Sequence, residues 1–347
     1  MDAQALLAWY LANQRPLPWR TEVSAYRTLV SELMCQQTRI ETVLPYFARF
    51  VDAFPTVEAL ALAPTERVLE LWSGLGYYSR ARNLQKAAQV VVAGGGFPRT
   101  GEGLRALPGV GPYTAGAIGS IAFGLDLPVV DGNVERVFAR WYGHARPQKA
   151  WLWQTAGALL PVGKAGAWNQ ALMELGSQVC TARSPRCLLC PVRAGCTGSD
   201  APERYPAPKE KKAVPKAKAV AAWWLRGGAV LLARRPESGL LAGLWELPGG
   251  DVAVMDTPSL LDVLRRRLGV SVAASNPLGA VSHQFTHLHL ETTVFSVSAV
   301  GEPVAQDYPE LRWVPLGEVD GMALSTSSRK TVKLAMRASY EDGGSVS

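Results

Sequence analysis

The sequence predicts a multidomain protein with an all-α amino-terminal domain and a smaller α+β domain at the carboxyl end. Three observations support this fold class. Up to about Thr197 apolar residues recur at spacings of three and four, residues 200–218 consist mainly of Pro, Lys and Ala, and strand-like runs begin after Ala219. With 347 residues the chain is also long for a single core. We therefore predict a helical domain over 1–199, a basic linker over 200–218 and an α+β domain over 219–343.

The helical period is clearest between Val30 and Phe50, where apolar side chains repeat at helical spacing. Pro and Gly lie in the gaps between such segments and end each one. Further helical segments are predicted at 57–72, 80–92, 114–123, 134–141, 151–160 and 168–179.

The formal net charge of +7 is unevenly distributed. Residues 1–200 carry 19 Lys and Arg against 14 Asp and Glu, residues 201–218 carry 6 against 2, and residues 219–347 carry 11 against 13. The basic excess in the first two segments favours contact with a polyanion there. The sequence has no run of about 18 apolar residues and no secretory signal, so we expect a cytoplasmic protein without a membrane span.

The stretch LPGVGPYTAG, Leu107 to Gly116, predicts a tight turn that leads into a helix. Gly109 and Gly111 permit positive φ and close backbone approach, and Pro112 suits the first turn of a helix. A simple turn between two helices is one interpretation. The apolar residues Leu107 and Val110 favour a helix–hairpin–helix in which the amides of Gly109, Val110 and Gly111 bind a DNA phosphate.

Four cysteines lie within 17 residues, a spacing typical of metal sites: Cys180, Cys187, Cys190 and Cys196. Disulfides are disfavoured in an intracellular chain, whereas zinc and an iron–sulfur cluster both accept four thiolates. The spacing by itself does not distinguish a zinc site from an iron–sulfur cluster. Cys35 lies apart from the others, on an apolar helix, and is interpreted as a core residue.

Beyond Ala219 the order of strands and helices predicts an α+β domain. The segments AVAAWWLRG, GAVLLARR, VSVAASNPLGAVS and HLHLETTVFSVSAV are interpreted as strands, and PSLLDVLRRRLG and SSRKTVKLAMRAS as helices.

Several motifs together carry a family resemblance: SELMCQQTRIETVLPYF, LWSGLGYYSRARNL, PGVGPYTAGAI, DGNVERV, NQALMELG and the cysteine run. With these motifs the chain resembles the MutY-type adenine DNA glycosylases of the endonuclease III superfamily, over nearly all of residues 5–200. The resemblance implies an all-α helix–hairpin–helix glycosylase domain with a [4Fe–4S] loop, followed by a Nudix-like α+β domain. It also implies a monomer that excises adenine opposite 8-oxoguanine or guanine from double-stranded DNA, in a bacterial cytoplasm at the nucleoid. The four cysteines would then hold one [4Fe–4S] cluster.

The resemblance assigns the chemistry to two carboxyl groups. Glu32 would be the acid that protonates the leaving base, with a pKa raised by its apolar helix, and Asp131, beside Asn133, would stabilise the sugar cation. From the sequence alone, a solvated Glu and an N-cap Asp are the simpler interpretations. Tyr113 stands where bifunctional relatives carry a lysine; because tyrosine cannot form a Schiff base, we predict a monofunctional enzyme.

Other positions match the family's binding surfaces. An adenine pocket would contain Arg15, Leu17, Trp19, Arg20 and Glu174, with Glu174 accepting from the exocyclic amine. Gln37 and Tyr77 match the positions that fill the space left by a flipped base, whereas Tyr78 is interpreted as core. In the second domain, Phe285, Thr286 and His287 resemble the Phe-Ser-His loop that reads 8-oxoguanine.

The Nudix-like domain lacks the acidic residues that a working Nudix box needs to hold Mg²⁺. Arg266 and Arg267 occupy the Glu-Glu positions, and Asp262 and Val263 the Arg-Glu positions. We therefore expect recognition without nucleotide hydrolysis. Three competing hypotheses are a pyrimidine glycosylase-lyase, which Tyr113 opposes, a non-catalytic iron–sulfur protein that binds DNA, and a nucleotide pyrophosphohydrolase, which the missing carboxylates oppose.

Overall fold

The structure, a computed structural model, describes residues 1–208, 213–299 and 301–341. Positions 209–212 of the predicted linker and 342–343 of the predicted second domain lie outside the described residues. The chain forms two compact units, one from residues 1–63 and 83–208, the other from 64–82 and the described residues beyond 212. The domain boundaries expected from the sequence remain a prediction. Among the described residues, no helix is both long enough and apolar enough to cross a membrane.

The part of the chain before residue 208 is helical, which confirms the predicted all-α class. Local signals set several helix ends: Asp2, Ser24, Thr56 and Thr100 accept hydrogen bonds from first-turn amides. The helices are α1 Ala3–Asn13, α2 Pro18–Thr21, α3 Ala25–Cys35, α4 Ile40–Ala53, α5 Val57–Leu62, α6 Thr65–Trp72, α7 Ser79–Ala93, α8 Gly101–Arg105, α9 Pro112–Phe123, α10 Gly132–Trp141, α11 Lys149–Ala158 and α12 Ala165–Gln178.

Two predicted helical segments are interrupted in the structure. The run from 57 to 72 breaks between α5 and α6, because Pro64 cannot continue a helix and leaves Ala63 extended. The run from Val30 to Phe50 breaks between α3 and α4, where Gln37 adopts a φ of 56°. Apolar residues recur at helical spacing on both sides of each break, so this spacing alone does not show where one helix ends and the next begins.

One core of the first unit lies between α1, α10, α11 and α12. Its fully buried members include Leu6, Phe138, Leu172 and Trp168. These side chains come from both ends of the helical sequence, so the core fixes α1 against α12 and thereby places the loop after α1 beside α12.

The second unit is an α+β structure built on a seven-stranded sheet, which confirms the predicted class. The sheet order is β3-β2-β1-β6-β5, with β4 also paired to β1 and β7 to β2; β1 and β6 are parallel and the other pairs are antiparallel. The elements are β1 Lys216–Arg226, β2 Ala229–Arg234, β3 Trp245–Glu246, β4 Gly249–Val252, α13 Thr257–Leu268, β5 Val272–Gln284, β6 His289–Ala299, β7 Glu310–Pro315 and α14 Thr326–Glu341.

Three strands of this sheet are absent from the sequence prediction: β3, β4 and β7. The first two have two and four residues, too few to show alternation, and β7 contains the half-buried run LRW. Their pairing depends on partners distant in sequence. Helix α13 packs over the sheet through Leu260, Leu264 and Leu268, beside Phe295.

Candidate active site

A cavity of about 910 Å³ in the first unit brings together most of the residues predicted for catalysis and adenine binding. Its wall comes from α3, the loops after α1 and α3, the glycine hairpin, the start of α10 and the end of α12. The predicted site residues that line it are Arg15, Leu17, Trp19, Arg20, Glu32, Gln37, Gly109, Gly111, Tyr113, Asp131, Asn133 and Glu174.

Glu32 lines this cavity from α3, next to the fully buried Leu33 and Met34. Burial raises the pKa of Glu32 to about 7, which agrees with the shift expected from the sequence. The hydrogen bond with Tyr113 opposes this rise, the negative charge of Asp131 adds to it, and Arg20 opposes it. A carboxyl group with such a pKa holds a proton near neutral pH and can donate it.

Tyr113 occupies the first turn of α9 and faces the same cavity. Its hydroxyl hydrogen-bonds with Glu32 and lies 3.2 Å from Met173 Sδ. Burial, followed by the charges of Glu32 and Asp131, raises the pKa of Tyr113 well above its ordinary value. The hydroxyl therefore stays neutral and acts as a hydrogen-bond donor.

Asp131 is the N-cap of α10, so its simpler structural interpretation holds in the structure. Its Oδ1 accepts from the amides of Asn133 at 2.9 Å and Val134 at 2.8 Å, and its Oδ2 accepts from Asn133 Nδ2 at 2.8 Å. An N-cap role and a catalytic role are compatible, because the cap fixes a carboxylate at the cavity wall.

Arg136 is a functional residue that the sequence analysis missed. Its guanidinium donates to Asn133 Oδ1 at 2.8 Å, to the Gly176 carbonyl at 2.6 Å and to the Cys180 carbonyl at 2.7 Å. The side chain thus links the start of α10 to the cysteine loop. The spacing of three between Asn133 and Arg136 on a helix is the signal that could have indicated it.

Gly176 lets α12 approach the start of α10 closely. A Cβ at this position would lie 2.5 Å from the Cβ of Asn133. Any larger residue would push Asn133, and with it Asp131, away from its present position.

Glu174 forms a buried ion-pair network with two arginines. Its side chain is 1% exposed, Arg15 Nε lies 2.7 Å from Oε1, and Arg20 Nη2 lies 2.9 Å from Oε2. Burial alone would raise the pKa of Glu174, but the hydrogen bonds from Arg15 and Arg20 outweigh it and hold that pKa below its usual value.

This network limits what Glu174 can accept from a bound base, and its expected contact with the adenine amine stays a prediction. Five N–H donors, from Arg15, Arg20 and Gln178, fill the roughly four acceptor sites of the carboxylate. An adenine amine would have to displace one of them. In this structure Glu174 instead positions the two guanidinium groups.

Two apolar residues that were predicted for the pocket, Leu17 and Trp19, also line the cavity. One cysteine, Cys35, lies elsewhere than the sequence predicts. Leu17 is buried, and Trp19 packs edge-on against Phe47 with ring centroids 4.9 Å apart. Cys35 is half-buried and lines the cavity, so the prediction that it is a plain core residue is wrong. It lies at the end of α3, where the helix leaves the core.

The glycine hairpin forms the predicted turn, with Gly109 at a φ of 75°. The Val110 amide donates to the Leu107 carbonyl at 3.1 Å and its side chain is buried. The Val110 amide is therefore engaged in closing the turn, and its expected phosphate contact stays a prediction. Among the described residues, the amides of Gly109 and Gly111 have no backbone acceptor. They border the cavity.

The two residues predicted to fill the space of a flipped base share an unusual backbone. Gln37 has a φ of 56° and Tyr77 a φ of 49°, in the left-handed region that side chains other than glycine rarely adopt. Such conformations are costly and cluster at functional sites. Tyr77 is 43% exposed, whereas Tyr78 is 3% exposed, so Tyr78 is core as predicted.

A separate cavity of about 380 Å³ in the second unit contains the predicted lesion-reading loop. Phe285, Thr286 and His287 line it together with Tyr77. The Tyr77 hydroxyl lies 2.5 Å from Thr286 Oγ1. The Phe285 amide closes the loop by donating to the Leu288 carbonyl at 2.7 Å.

The segment 64–82 belongs to the second unit through specific hydrogen bonds. Trp245 Nε1 donates to Glu66 Oε1 at 3.1 Å, the Tyr78 hydroxyl donates to the Leu324 carbonyl at 3.0 Å, and Arg82 donates to the Ala242 carbonyl at 2.6 Å. These contacts hold Tyr77 beside Thr286.

The four predicted cysteine ligands, Cys180, Cys187, Cys190 and Cys196, line one enclosed space of about 30 Å³. Arg140 borders the same space and donates to the Cys180 and Thr181 carbonyls at 3.2 and 2.7 Å. In number and donor type these residues fit a cluster held by four thiolates. Among the described residues, no group of three or more His, Cys, Asp or Glu side chains is arranged so that it could hold a metal ion.

The arginines of the altered Nudix box make protein contacts. On α13, Arg266 pairs with Asp262 at 3.0 Å, and Arg267 donates to the Tyr308 hydroxyl at 2.9 Å. The positions that would hold Mg²⁺ thus carry cations with partners of their own.

Family models and solved structures define the class of protein. Residues 30–156 match the HhH-GPD superfamily of base excision DNA repair proteins, and residues 219–334 match the NUDIX domain. A thermostable thymine-DNA glycosylase aligns with 57% of this chain and 94% of its own at 29% identity, with a TM-score of 0.53. Endonuclease III in a trapped covalent DNA intermediate aligns with 57% of this chain and 93% of its own, at 25% identity and with a TM-score of 0.50. The chain is a helix–hairpin–helix DNA glycosylase with a Nudix-like domain.

Curated relatives narrow this class to one family. The adenine DNA glycosylase of Homo sapiens is 36% identical, covering 95% of this chain and 73% of the relative. The adenine DNA glycosylase of Mus musculus is 37% identical, and the alignment covers 97% of this chain and 77% of that relative. The chain belongs to the adenine DNA glycosylase family.

Proposed function

We propose that this protein is a monofunctional DNA glycosylase that hydrolyses the N-glycosidic bond of adenine opposite 8-oxoguanine or guanine in duplex DNA. The observation that carries the proposal is the shared cavity of Glu32, Tyr113 and Asp131, in which burial raises the pKa of Glu32 to about 7. Family membership supports adenine as the base that is removed.

The two carboxyl groups divide the reaction between them. Glu32 donates its proton to a ring nitrogen of adenine, so that the base leaves as a neutral molecule. The bond from C1′ to the base then breaks and the sugar develops positive charge, which the carboxylate of Asp131 stabilises. Water adds to C1′ and gives its proton to the Glu32 carboxylate, which restores the acid and completes hydrolysis, as in glycoside hydrolysis by paired carboxyl groups.

The cavity wall supplies the base pocket. Trp19 and Leu17 offer apolar surface to the purine, and Arg15 and Arg20 offer N–H donors whose direction is fixed by Glu174. Extrusion of a base from the stack costs a few kcal/mol. Stacking of the Tyr77 ring offsets part of this cost, and Gln37 fills vacated space.

In the second unit we assign Phe285, Thr286 and His287 to recognition of 8-oxoguanine, with the Thr286 hydroxyl in place of a serine. We assign Cys180, Cys187, Cys190 and Cys196 to one [4Fe–4S] cluster, which when bound folds the loop that follows α12. Iron content and visible absorbance distinguish this cluster from zinc. We expect a monomer that acts on nucleoid DNA in the cytoplasm.

A strand-cleavage assay tests the function. Duplexes with adenine opposite 8-oxoguanine, adenine opposite guanine, or oxidised pyrimidines are incubated with the protein, with and without later alkali. We expect breaks only at adenine and only after alkali. Breaks without alkali, or trapping of a protein–DNA adduct by borohydride, would contradict the monofunctional assignment.

A further inference from the structure

A basic groove of about 580 Å³ runs along the last helix of the second unit. Lys330, Lys333 and Arg337 of α14 form one side, and Leu278 and Ala280 of β5 contribute to the other. Strand β5 is the last strand in the order of the sheet. None of the residues that line this groove, all of them described, is acidic.

The charge of the groove contrasts with that of its surroundings. Residues 219–347 carry 11 basic and 13 acidic residues, yet three cations meet here at spacings of three and four along one helix. Like charges at this spacing face the same side of a helix and weaken it slightly. A bound anion would relieve this repulsion.

Several other arginines of this unit have carboxylate partners. Arg329 pairs with Asp320, Arg265 and Arg266 with Asp262, and Arg235 with Glu246. By contrast, Lys330, Lys333 and Arg337 are exposed, and none of the three forms an ion pair with any side chain that the structure describes, which leaves out that of Glu341. Lys330 is held by one weak contact, from Nζ to the Ser282 carbonyl at 3.3 Å.

The groove lies along the same helix and strand, α14 and β5, as part of the wall of the cavity of the lesion-reading loop. Thr326, at the start of α14, and Gln284, at the end of β5, both line that cavity beside Phe285 and Thr286. The same helix and strand then continue as the two sides of the groove. From Lys330 to Arg337 the helix rises about 10 Å. DNA presents one phosphate per about 3.4 Å of each strand, so three cations match about three phosphates.

We propose that Lys330, Lys333 and Arg337 form a phosphate track that binds the DNA backbone next to the base held at Phe285–His287. This inference rests on the proposed function, because it takes duplex DNA as the ligand. An acidic peptide would meet the same charges, but the position of the track on the helix and strand that also line the lesion cavity favours DNA. The track binds without regard to sequence, since it contacts phosphates alone.

Salt dependence of binding tests the track. The probe is a duplex with 8-oxoguanine opposite an adenine analogue that cannot be cleaved, titrated with full-length protein at several salt concentrations. Each lost phosphate contact reduces the slope of log K against log salt by about 0.9. For the triple variant Lys330→Gln, Lys333→Gln and Arg337→Gln we expect a slope smaller by up to about 2.7 and weaker binding at low salt.

Two matched variants serve as controls. Lys330→Arg, Lys333→Arg and Arg337→Lys keep the charges, and we expect a slope near that of the unaltered protein. Arg265→Gln with Arg266→Gln removes two charges from α13, and we expect no change in slope. If the triple variant does not fold, the double variant Lys333→Gln and Arg337→Gln should still lower the slope by up to about 1.8.

The outcomes separate this inference from the proposed function. A slope that the triple variant leaves unchanged, in a protein that does excise adenine, overturns the track alone and leaves an acidic protein partner as the remaining ligand. Absence of adenine excision by the unaltered protein overturns the proposed function instead. A slope that falls equally in the α13 control also overturns the track, because the effect is then one of general charge.

Discussion

At the scale of single residues, environment converts ordinary side chains into candidates for chemistry. Glu32 stands in an apolar helix, and enclosure beside Tyr113 and Asp131 raises its pKa to about 7. Asp131, a few ångströms from three N–H donors, is fixed as a carboxylate acceptor. The environment therefore distinguishes two carboxyl groups within one cavity.

The rate of excision should depend on the protonation of Glu32. Because the acid acts in its protonated form, we expect the single-turnover rate to fall about tenfold per pH unit above about 7. Glu32→Gln should lower the rate by at least about 100-fold and leave no such dependence. The measurement is a pH–rate profile on duplex DNA with adenine opposite 8-oxoguanine.

The exposed Glu58 of α5 provides the matched control, since Glu58→Gln should keep the wild-type profile. Folding gives an independent readout. The folded-state pKa of Glu32 is raised from 4.5 to about 7, so ionisation destabilises the fold as pH rises through this window. Glu32→Gln should therefore melt higher than wild type at pH 8 but not at pH 4. Full excision by this variant would refute the assignment of the acid.

Thr286 allows a test of lesion reading at one hydroxyl. Thr286→Val keeps the shape but removes the group that lies 2.5 Å from the Tyr77 hydroxyl. A neutral hydrogen bond contributes about 0.5–1.5 kcal/mol, so we expect the preference for 8-oxoguanine over guanine to fall about threefold to tenfold. The measurement is the ratio of single-turnover rates on the two duplexes. Thr286→Ser retains the hydroxyl and should retain the ratio, whereas an unchanged ratio in the Val variant would exclude this hydroxyl as the reader.

At the scale of elements, two helix ends place the chemistry. The hairpin before α9 brings Tyr113 and the Gly109 and Gly111 amides to the cavity, and the N-cap of α10 brings Asp131. Both are starts of helices, where unpaired N–H groups and the helix dipole favour anions. The start of α9 is therefore suited to bind a phosphate, and the start of α10 is suited to hold the Asp131 carboxylate.

The hairpin provides a pair of glycines with opposite expectations. Gly109 has a φ of 75°, and a Cβ there would lie 2.6 Å from the Cβ of Asn83; Gly111 has a φ of −85° and open space around it. Gly109→Ala should lower the free energy of unfolding by about 1–2 kcal/mol and weaken DNA binding. Gly111→Ala keeps its amide and should change both little. Thermal melting and DNA titration measure the two effects, and equal effects for the two variants would contradict the proposed geometry.

At the scale of the whole molecule, chain order and compact units do not coincide. The segment 64–82 interrupts the helical part of the sequence but packs within the second unit, through Glu66, Ser73 and Tyr78. Tyr77, the exposed aromatic of this segment, thereby lines the cavity that holds Thr286.

Truncation should expose this arrangement. A chain that ends after residue 218 lacks Trp245 and Leu324, the hydrogen-bond partners of Glu66, Ser73 and Tyr78. We expect faster amide hydrogen exchange across 64–82 than in the full chain, with α9 and α10 as protected internal controls. Equal exchange in the two proteins would show that the segment is stabilised by the helical part alone.

The sequence by itself determined the elements whose signals are local. Apolar spacing gave most helices, turn residues gave the hairpin, and motif resemblance indicated the residues that line the two cavities. The short strands β3 and β4 were not predicted, because they have too few residues to show a period. The break between α5 and α6 at Pro64 was not predicted either.

Only the tertiary structure decided the properties that depend on neighbours distant in sequence. Glu174 forms ion pairs with Arg15 and Arg20, and Arg136 donates to the Cys180 carbonyl. The segment 64–82 packs within the second unit. The tertiary structure also placed Tyr113 and Asp131 beside Glu32, whose raised pKa the apolar helix had already indicated. The physical reason is that desolvation, ion pairing and close approach depend on what surrounds a group in space, whereas helix and turn signals depend on a few adjacent residues.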